Sequence, residues 1–322
     1  MKMEKVRWGF IGAGMIAKKA LYPALKGSTV GEIYSVASHH PERAAELEPT
    51  GPIYGTYEEM LVDPKVEAVY ISLPNSLHIP WSIKAMQAGK HVLCEKPLAM
   101  NASEVRESMA VQAKTGKLFM EASWNRWHPR TVRFKELVDS GVIGKVESIR
   151  SCFTYDGLDP ENIRTEPELG GGGTYDLGPY SVVAPLWLMD FAPHKIISTD
   201  VKWHPKGSDE TVKTNFTIGG AKAETVTSMN TPDTLYFDVT GSKGTIAMGG
   251  NAAFNSCNAE STIEITIDGN KTVETFAACD PYRLMADSFA RKIRGERAWL
   301  MPLTESLAFA EFFDEIFASM KK

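Results

Sequence analysis

The sequence predicts an α/β protein with an N-terminal doubly wound parallel sheet and a C-terminal α+β domain built on a large, mostly antiparallel open sheet. Three observations predict it. From residue 5 to about 120, short β-branched runs alternate with longer helical stretches, the pattern of a parallel sheet covered by helices. After residue 121 the runs alternate apolar and polar residues and are joined by glycine-containing turns such as Asp268-Gly269-Asn270. The chain has 322 residues, more than one ordinary core accommodates, so two domains are expected, 1–121 and 122–322, divided by a change of rhythm at Ala122.

In the first domain, strands are expected at Val6–Ile11, Glu32–Ala37, Ala68–Ile71, His91–Cys94 and Leu118–Glu121. Helices fall between them at Met15–Lys26, Pro41–Leu47, Ser76–Ala88 and Ser103–Thr115, the last with Ser103 as its N-cap. Gly27, Gly89 and Gly116 follow three of those helices, where a left-handed terminal residue costs least in glycine. The second domain opens with a helix at Arg130–Ser140. Strands follow at Lys145–Tyr155, Thr211–Ile218, Glu224–Met229, Leu235–Thr240, Gly244–Met248 and Thr262–Ile267, then helices at Pro281–Arg294 and Leu303–Met320. A sheet with helices on one side exposes the other, so a homodimer or dimer of dimers through that open face is expected.

Composition narrows the function. Hydrophobic residues at 43% and charged residues at 23% are those of a folded globular chain. Lys+Arg number 35 against 40 Asp+Glu, without the basic excess that binding nucleic acid requires. No run of about 18 apolar residues occurs, so no membrane span is expected. Cys94, Cys152, Cys257 and Cys279 stand far apart with no C-x-x-C pair, the usage of a cytoplasmic protein without structural zinc or any other expected metal. The stretch Trp8–Ala17 imitates a signal peptide, but three glycines interrupt it and Lys18 and Lys19 follow at once.

The strongest chemical signal is Gly9-Phe10-Ile11-Gly12-Ala13-Gly14-Met15-Ile16-Ala17, at the junction of the first strand and the first helix. Gly12 permits a tight turn, Gly14 lets backbone approach a pyrophosphate, and Ala17 lets the helix pack close to the sheet. Amides at the helix start, those of Met15 and Ile16 among them, then face the anion. This is the Rossmann dinucleotide pattern. A second strand ending in Ser38-His39-His40 lacks the acid that usually holds the adenosine ribose, and with Arg43 a turn later it favours NADP over NAD. The plainer reading of the histidines is a solvated loop. At the end of the third predicted strand, Leu73-Pro74-Asn75 shapes a turn at the ligand edge of the sheet, with His78 in the following helix, where holding helix to loop is its simplest role. The fourth predicted strand runs into Glu95-Lys96-Pro97, which would aim Lys96 at the nicotinamide end of a dinucleotide.

Taken together, Gly12-x-Gly14-x-x-Ala17, Pro74-Asn75-x-x-His78, Ala88-Gly89-Lys90-His91-Val92 and Glu95-Lys96-Pro97-Leu98-Ala99 resemble the Gfo/Idh/MocA oxidoreductase family. Glu166-Pro167-Glu168-Leu169-Gly170-Gly171-Gly172 and Asp176-Leu177-Gly178-Pro179-Tyr180 are similar to the family's glycine-rich segment and its Asp-x-Gly-x-His/Tyr signature. Tyrosine at 180, and the stretch Glu121 to Pro129, resemble the branch of dimeric dihydrodiol dehydrogenase, glucose-fructose oxidoreductase and NADP-dependent xylose dehydrogenases. His39 departs from the arginine that NADP-using members often carry.

The resemblance implies hydride exchange between a sugar or polyol hydroxyl carbon and NADP, with Lys96, Tyr180 and Asp176 catalytic. Tyr180 is the expected base with Lys96 converging on it, or Lys96 the proton acceptor itself; Asp176 would orient the substrate or the lysine. Gly12, Gly14, Met15, Ile16, Ser38, His39, Arg43, Leu73, Pro74, Asn75, His78, Glu95 and Lys96 are the expected cofactor contacts. Trp124, Arg126, Trp127 and Arg164 join Lys96, Asp176 and Tyr180 around the substrate, with His128 and Tyr155 as weaker candidates and core packing the fate of at least one tryptophan. The rival readings are trans-dihydrodiol or dicarbonyl chemistry, and a nucleotide-sensing regulator that would not need Lys96 and Tyr180 together.

Overall fold

The computed structural model describes residues 4–255 and 257–320. Six parallel strands, β1 (Val6–Ile11), β2 (Gly31–Ala37), β3 (Ile53–Tyr54), β4 (Ala68–Ile71), β5 (His91–Cys94) and β6 (Phe119–Glu121), form a sheet in the order β3-β2-β1-β4-β5-β6. Strand order reverses between β1 and β4, and ligands of such sheets bind outside the carboxyl ends at that point. β1 and β4 are central, so their side chains are buried on both faces: Trp8, Phe10, Val69, Tyr70 and Ile71 have no exposed surface.

Several local expectations are corrected. The N-cap of the helix Ala102–Thr115 is Asn101, whose side chain accepts from the Glu104 amide at 3.0 Å, so Ser103 lies inside the helix. Gly89 and Gly116 take left-handed φ of +82° and +66°, whereas Gly27 at φ −84° does not. The first helix contains a π-type turn over Ala17–Leu21 before regular helix at Tyr22–Lys26. β3 and the helix Tyr57–Leu61 have no counterpart in the sequence reading. Each is too short to show periodicity, although Thr56 and Glu59 close a capping box that marks the helix start.

The second sheet has eight strands, β7 (Val146–Thr154), β8 (His194–Trp203), β9 (Asp209–Ile218), β10 (Ala221–Ser228), β11 (Thr234–Gly241), β12 (Gly244–Met248), β13 (Ser261–Ile267) and β14 (Asn270–Phe276). Their order is β14-β13-β12-β11-β7-β10-β9-β8, antiparallel except for the β7/β10 pair. One face buries Ile149, Val212, Phe216, Phe237, Val239 and Ile263. The other is polar, with ion pairs Lys213–Glu224 at 2.7 Å and Lys271–Glu264 at 2.8 Å. β8 and β14 are the edges, and edge strands need no apolar alternation to form. That is why neither stood out in sequence.

The chain divides into two compact units: residues through Trp124 with Asp280–Leu307, and Asn125–Cys279 with the residues from Ala308 onward. The expected continuous stretch 122–322 is therefore interrupted, because Asp280–Leu307 returns to the first unit. The helix Pro281–Ile293 carries Tyr282, Met285, Ala286, Phe289 and Ala290 on one buried face. Phe289 lies 5.5 Å from Trp8 of β1, Ser28 donates to Asp287 at 2.6 Å, and Arg294 grips Glu67 with two bonds of 2.7 and 2.9 Å. Phe289→Ala should destabilise the first unit by about 3–5 kcal/mol, the cost of removing a buried aromatic ring. Urea unfolding monitored by tryptophan fluorescence checks this, and a loss near that of an exposed substitution would refute the packing described.

Candidate active site

The turn after β1 is set by Gly12. Its φ is +91°, its amide donates to Ala37 O at 3.0 Å, and a Cβ there would sit 3.0 Å from Leu73 and 3.1 Å from the Ser72 carbonyl. Gly14 differs: a Cβ would meet only the Ser72 carbonyl, at an ordinary 3.8 Å. The protein's own packing does not require glycine at 14, so the open space suits a ligand that approaches the backbone. Helical turns begin at Met15, which is 56% exposed.

At the end of β2 the buried Ser38 hydroxyl accepts from the His40 amide at 3.0 Å. His39 and Arg43 are exposed, and the His39 ring rests 5.0 Å from Tyr57, which meets Trp81 edge-on at 4.8 Å. No carboxylate stands at positions 38–40, and Glu42 is engaged with His40 at 3.3 Å. The cradle thus fits a dinucleotide, with imidazoles, a guanidinium and a hydroxyl where an acid would discriminate against a 2′-phosphate.

Turns after β4 and β5 are tied together by His78. It is 1% exposed, with Nδ1 2.8 Å from Pro97 O and Nε2 2.9 Å from Leu73 O. Burial pushes its pKa down to about 4, against the pull of the two carbonyls and with the Lys96 charge adding to the fall. His78 was expected among the cofactor contacts; both ring nitrogens face backbone instead, which makes it the support of the Leu73-Pro74-Asn75 turn. Glu95 is likewise turned inward, accepting from the Tyr70 hydroxyl at 2.6 Å and the Lys96 amide at 3.2 Å. Glu121 accepts from the Leu98 amide at 3.3 Å. Burial raises the Glu121 carboxyl to about 7, with Glu95 adding to the rise and Ser306 and Lys96 opposing it.

In the second unit the glycine run is fixed by contact. A Cβ on Gly172, whose φ is +122°, would collide with the Asp209 carboxylate, and one on Gly171 would lie 2.5 Å from Arg164 O. The short helices Gly173–Asp176 and Gly178–Ser181 follow and carry Asp176 and Tyr180. Asp176 accepts from Arg164 Nε at 2.8 Å and from the Tyr155 hydroxyl at 3.4 Å. Arg164, expected at the substrate, is thus also the ion-pair partner of Asp176. The Asp176 charge raises the Arg164 pKa most, burial opposes, and Tyr155 and Tyr180 contribute. Tyr180 is 7% exposed, its ring 5.4 Å from Phe153 and 6.3 Å from Phe254.

The aromatic stretch divides. Trp124 is buried and stacks on Tyr282 at 4.9 Å, so one of its faces is taken by the core of the first unit. Trp127 is 9% exposed, Arg126 lies 4.9 Å over Trp187, and His128 caps the helix Pro129–Asp139 by accepting the Arg130 amide at 3.0 Å. Asp209 and Phe254 escaped the sequence reading, and neither carried a local signal; Glu121 entered it only as the first residue of the Glu121 to Pro129 stretch, without a role. Among the described residues, no three His, Cys, Asp or Glu side chains are gathered to hold a metal ion.

A glycine turn at the switch point of a doubly wound parallel sheet, with open space against Gly14, is the arrangement of a dinucleotide-binding domain. Residues 6–123 match the model of an oxidoreductase family with an NAD-binding Rossmann fold, and 131–247 match the GFO/IDH/MocA C-terminal domain. The chain belongs to the Gfo/Idh/MocA family. It is 34% identical over 322 residues to D-xylose 1-dehydrogenase (NADP(+)) 2 of Haloferax volcanii, covering 97% of this chain and 96% of that one. With the trans-1,2-dihydrobenzene-1,2-diol dehydrogenase of Mus musculus it shares 35% over 247 residues, 74% and 73% of the two chains. The crystal structure of a 3-ketoreductase from Actinomadura kijaniata with NADP and TDP-benzene superposes with a TM-score of 0.92 at 26% identity, covering 98% of both chains.

Asp209 gives the second unit a pH signature. It is buried, accepts the Thr174 amide at 2.7 Å, and burial raises its carboxyl to about 6 from the ordinary 3.8. A raised acid binds its proton more tightly in the folded state, so its contribution is full below about pH 4 and lost as pH rises through about 6. Asp209→Asn should flatten the stability-against-pH curve across that window relative to the unsubstituted protein. Parallel curves from urea titrations at several pH values would show the assignment to be mistaken.

Proposed function

We propose that the protein is an NADP-dependent dehydrogenase of a sugar or related polyol, working in the cytoplasm, with Tyr180 as the proton acceptor. The observation that carries this reading is Tyr180 within the field of Arg164, whose guanidinium Asp176 holds at 2.8 Å. A free phenol has a pKa near about 10, so a base working near pH 7.5 needs a fall of about 2.5 units, roughly 3.4 kcal/mol at about 1.36 kcal/mol per unit. Fixed cations favour phenolate, and a desolvated setting strengthens them. Arg164 is one such cation, oriented by Asp176, whose carboxylate also accepts from the Tyr155 hydroxyl. Lys96 is the second by chemistry.

The dinucleotide takes the hydride from the substrate carbon, or supplies it in reverse. Gly12, Gly14 and the helix start at Met15 and Ile16 would hold its pyrophosphate; Ser38, His39 and Arg43 would hold the 2′-phosphate. Tyr180 receives the substrate hydroxyl proton. Arg126 and Trp127 are proposed beside the substrate. The NADP-using relatives support the cofactor choice, as does the missing acid after β2. A second copy of the chain is proposed to cover the polar outer face of the eight-stranded sheet. A second reading, oxidation of a cyclic diol, is favoured by the apolar Phe153 and Phe254 rings that flank Tyr180.

Following absorbance at 340 nm across aldoses, inositols and cyclic dihydrodiols separates the readings. Turnover of aldoses or inositols is expected, and Lys96→Met and Tyr180→Phe should each lower kcat by about 10²–10⁴-fold, the usual worth of a positioned proton-transfer group. Arg164→Gln should move the acidic limb of the kcat/KM profile to higher pH, since loss of a cation raises the phenol. NADP binding without turnover on any of these substrates would leave the sensor reading instead.

For the cofactor, Arg43→Ala should weaken NADP binding while leaving NAD untouched, as removal of a phosphate partner requires. Titration calorimetry with both nucleotides is the check. Equal losses for the two would count against a 2′-phosphate contact.

A further inference from the structure

Apart from the groups assigned above, the second unit brings two nucleophilic side chains side by side. Cys257 and Cys279 oppose each other in an isolated parallel bridge, and the Asn258 amide donates to Cys279 O at 2.7 Å. Opposed residues of parallel strands point their side chains the same way, with backbones about 4.8 Å apart. A disulfide needs Cα atoms about 4.4–6.8 Å apart, so no rearrangement of the backbone is required. Both residues are thiols and half-exposed, whereas Cys94 and Cys152 are buried.

A third group completes the arrangement. Arg130 is 1% exposed and donates through Nη2 to Ala252 O at 2.8 Å and Ala253 O at 2.7 Å. Burial lowers its pKa to about 10, and Cys279 is the charge partner acting against that fall. An arginine facing a sulfur favours thiolate, the form that attacks disulfides. The same arginine anchors the segment that leads to Cys257.

We propose that Cys257 and Cys279 form a reversible disulfide with a small-molecule disulfide such as oxidised glutathione as the oxidant. The Cys279 thiolate attacks one glutathione sulfur, forming a mixed disulfide and releasing one glutathione thiolate. Cys257 then attacks the Cys279 sulfur and expels the second. The protein loses two electrons and two thiol protons; the oxidant is reduced to two glutathione molecules, which take both protons.

The bond would restrain a segment that reaches Tyr180. Phe254 stands three residues before Cys257, 6.3 Å from the Tyr180 ring and stacked on Phe153 at 6.1 Å, while Asn251 accepts the Leu235 amide at 2.7 Å. Oxidation closes this segment onto Cys279, the last residue before the chain leaves the unit. The effect on turnover rests on Tyr180 being the base; formation of the disulfide does not.

The test is to incubate the reduced full-length protein with oxidised glutathione, then record intact mass and a non-reducing peptide map. The expected result is a loss of about 2 Da, a single crosslinked peptide pair containing Cys257 and Cys279, and reversal by dithiothreitol. Cys257→Ser should instead retain a glutathione adduct on Cys279. Stable glutathione adducts on both cysteines of the unsubstituted protein, a crosslink joining another pair, or no reaction would overturn the proposal. Turnover of the crosslinked protein is expected to fall and recover on reduction; unchanged turnover overturns the coupling to Tyr180. Absence of turnover in the reduced protein is a failure of the proposed function, and the mass readout stands apart from it.

Discussion

The turns that carry the chemistry of the first unit depend on one buried imidazole. Leu73 O and Pro97 O belong to different crossovers of the sheet, and each needs a partner once removed from water. His78 stands between them at 2.9 and 2.8 Å. A neutral ring donates through one nitrogen only, so it cannot serve both carbonyls as a donor. The cation would, but burial and the Lys96 charge both disfavour it. The state of the ring and the charge of the lysine are therefore linked: burial holds His78 neutral, the charge at 96 adds to that, and the ring in turn meets the carbonyl of Pro97 next to the lysine.

Glycine plays two distinct parts in the two units. Gly12 and Gly172 are required by the protein itself, the first through a positive φ and the nearness of Leu73 and Ser72, the second through a direct clash with the Asp209 carboxylate. Gly14 meets neither constraint: a Cβ there would find only an ordinary contact with the Ser72 carbonyl. An added methyl at Gly172 must displace the Asp209 carboxylate, whereas one at Gly14 leaves the internal packing alone.

The central strands and the long helices were legible because each carries a signal many residues long. β1, β4, β5 and β12 have the predicted boundaries, since continuous burial or strict alternation leaves little freedom in where a strand starts. The glycine turn after β1 and the residue types following β2 could be read for the same reason: their function is encoded locally. What escaped depends on partners distant in sequence. Asp209 precedes a predicted strand and nothing near it announces that its carboxylate will cap a turn at Thr174. Arg164 could be named but not understood until Asp176 stood beside it. The return of Asp280–Leu307 to the first unit is written in the pairing of Phe289 with Trp8, and an amphipathic helix does not disclose which apolar surface it will meet.

Electrostatics of the first unit bears on which residue accepts the proton. Glu95 and Glu121 are both buried, and Glu121 feels Glu95 as a charge that raises it and Lys96 as one that lowers it. The Lys96 charge favours the ionised form of Glu121, so taking the proton from Lys96 would withdraw that support from a buried carboxylate. A phenol beside Arg164 faces the opposite situation, because its ionised form is the one a neighbouring cation rewards. These two settings support Tyr180 as the group that changes protonation and Lys96 as the fixed charge.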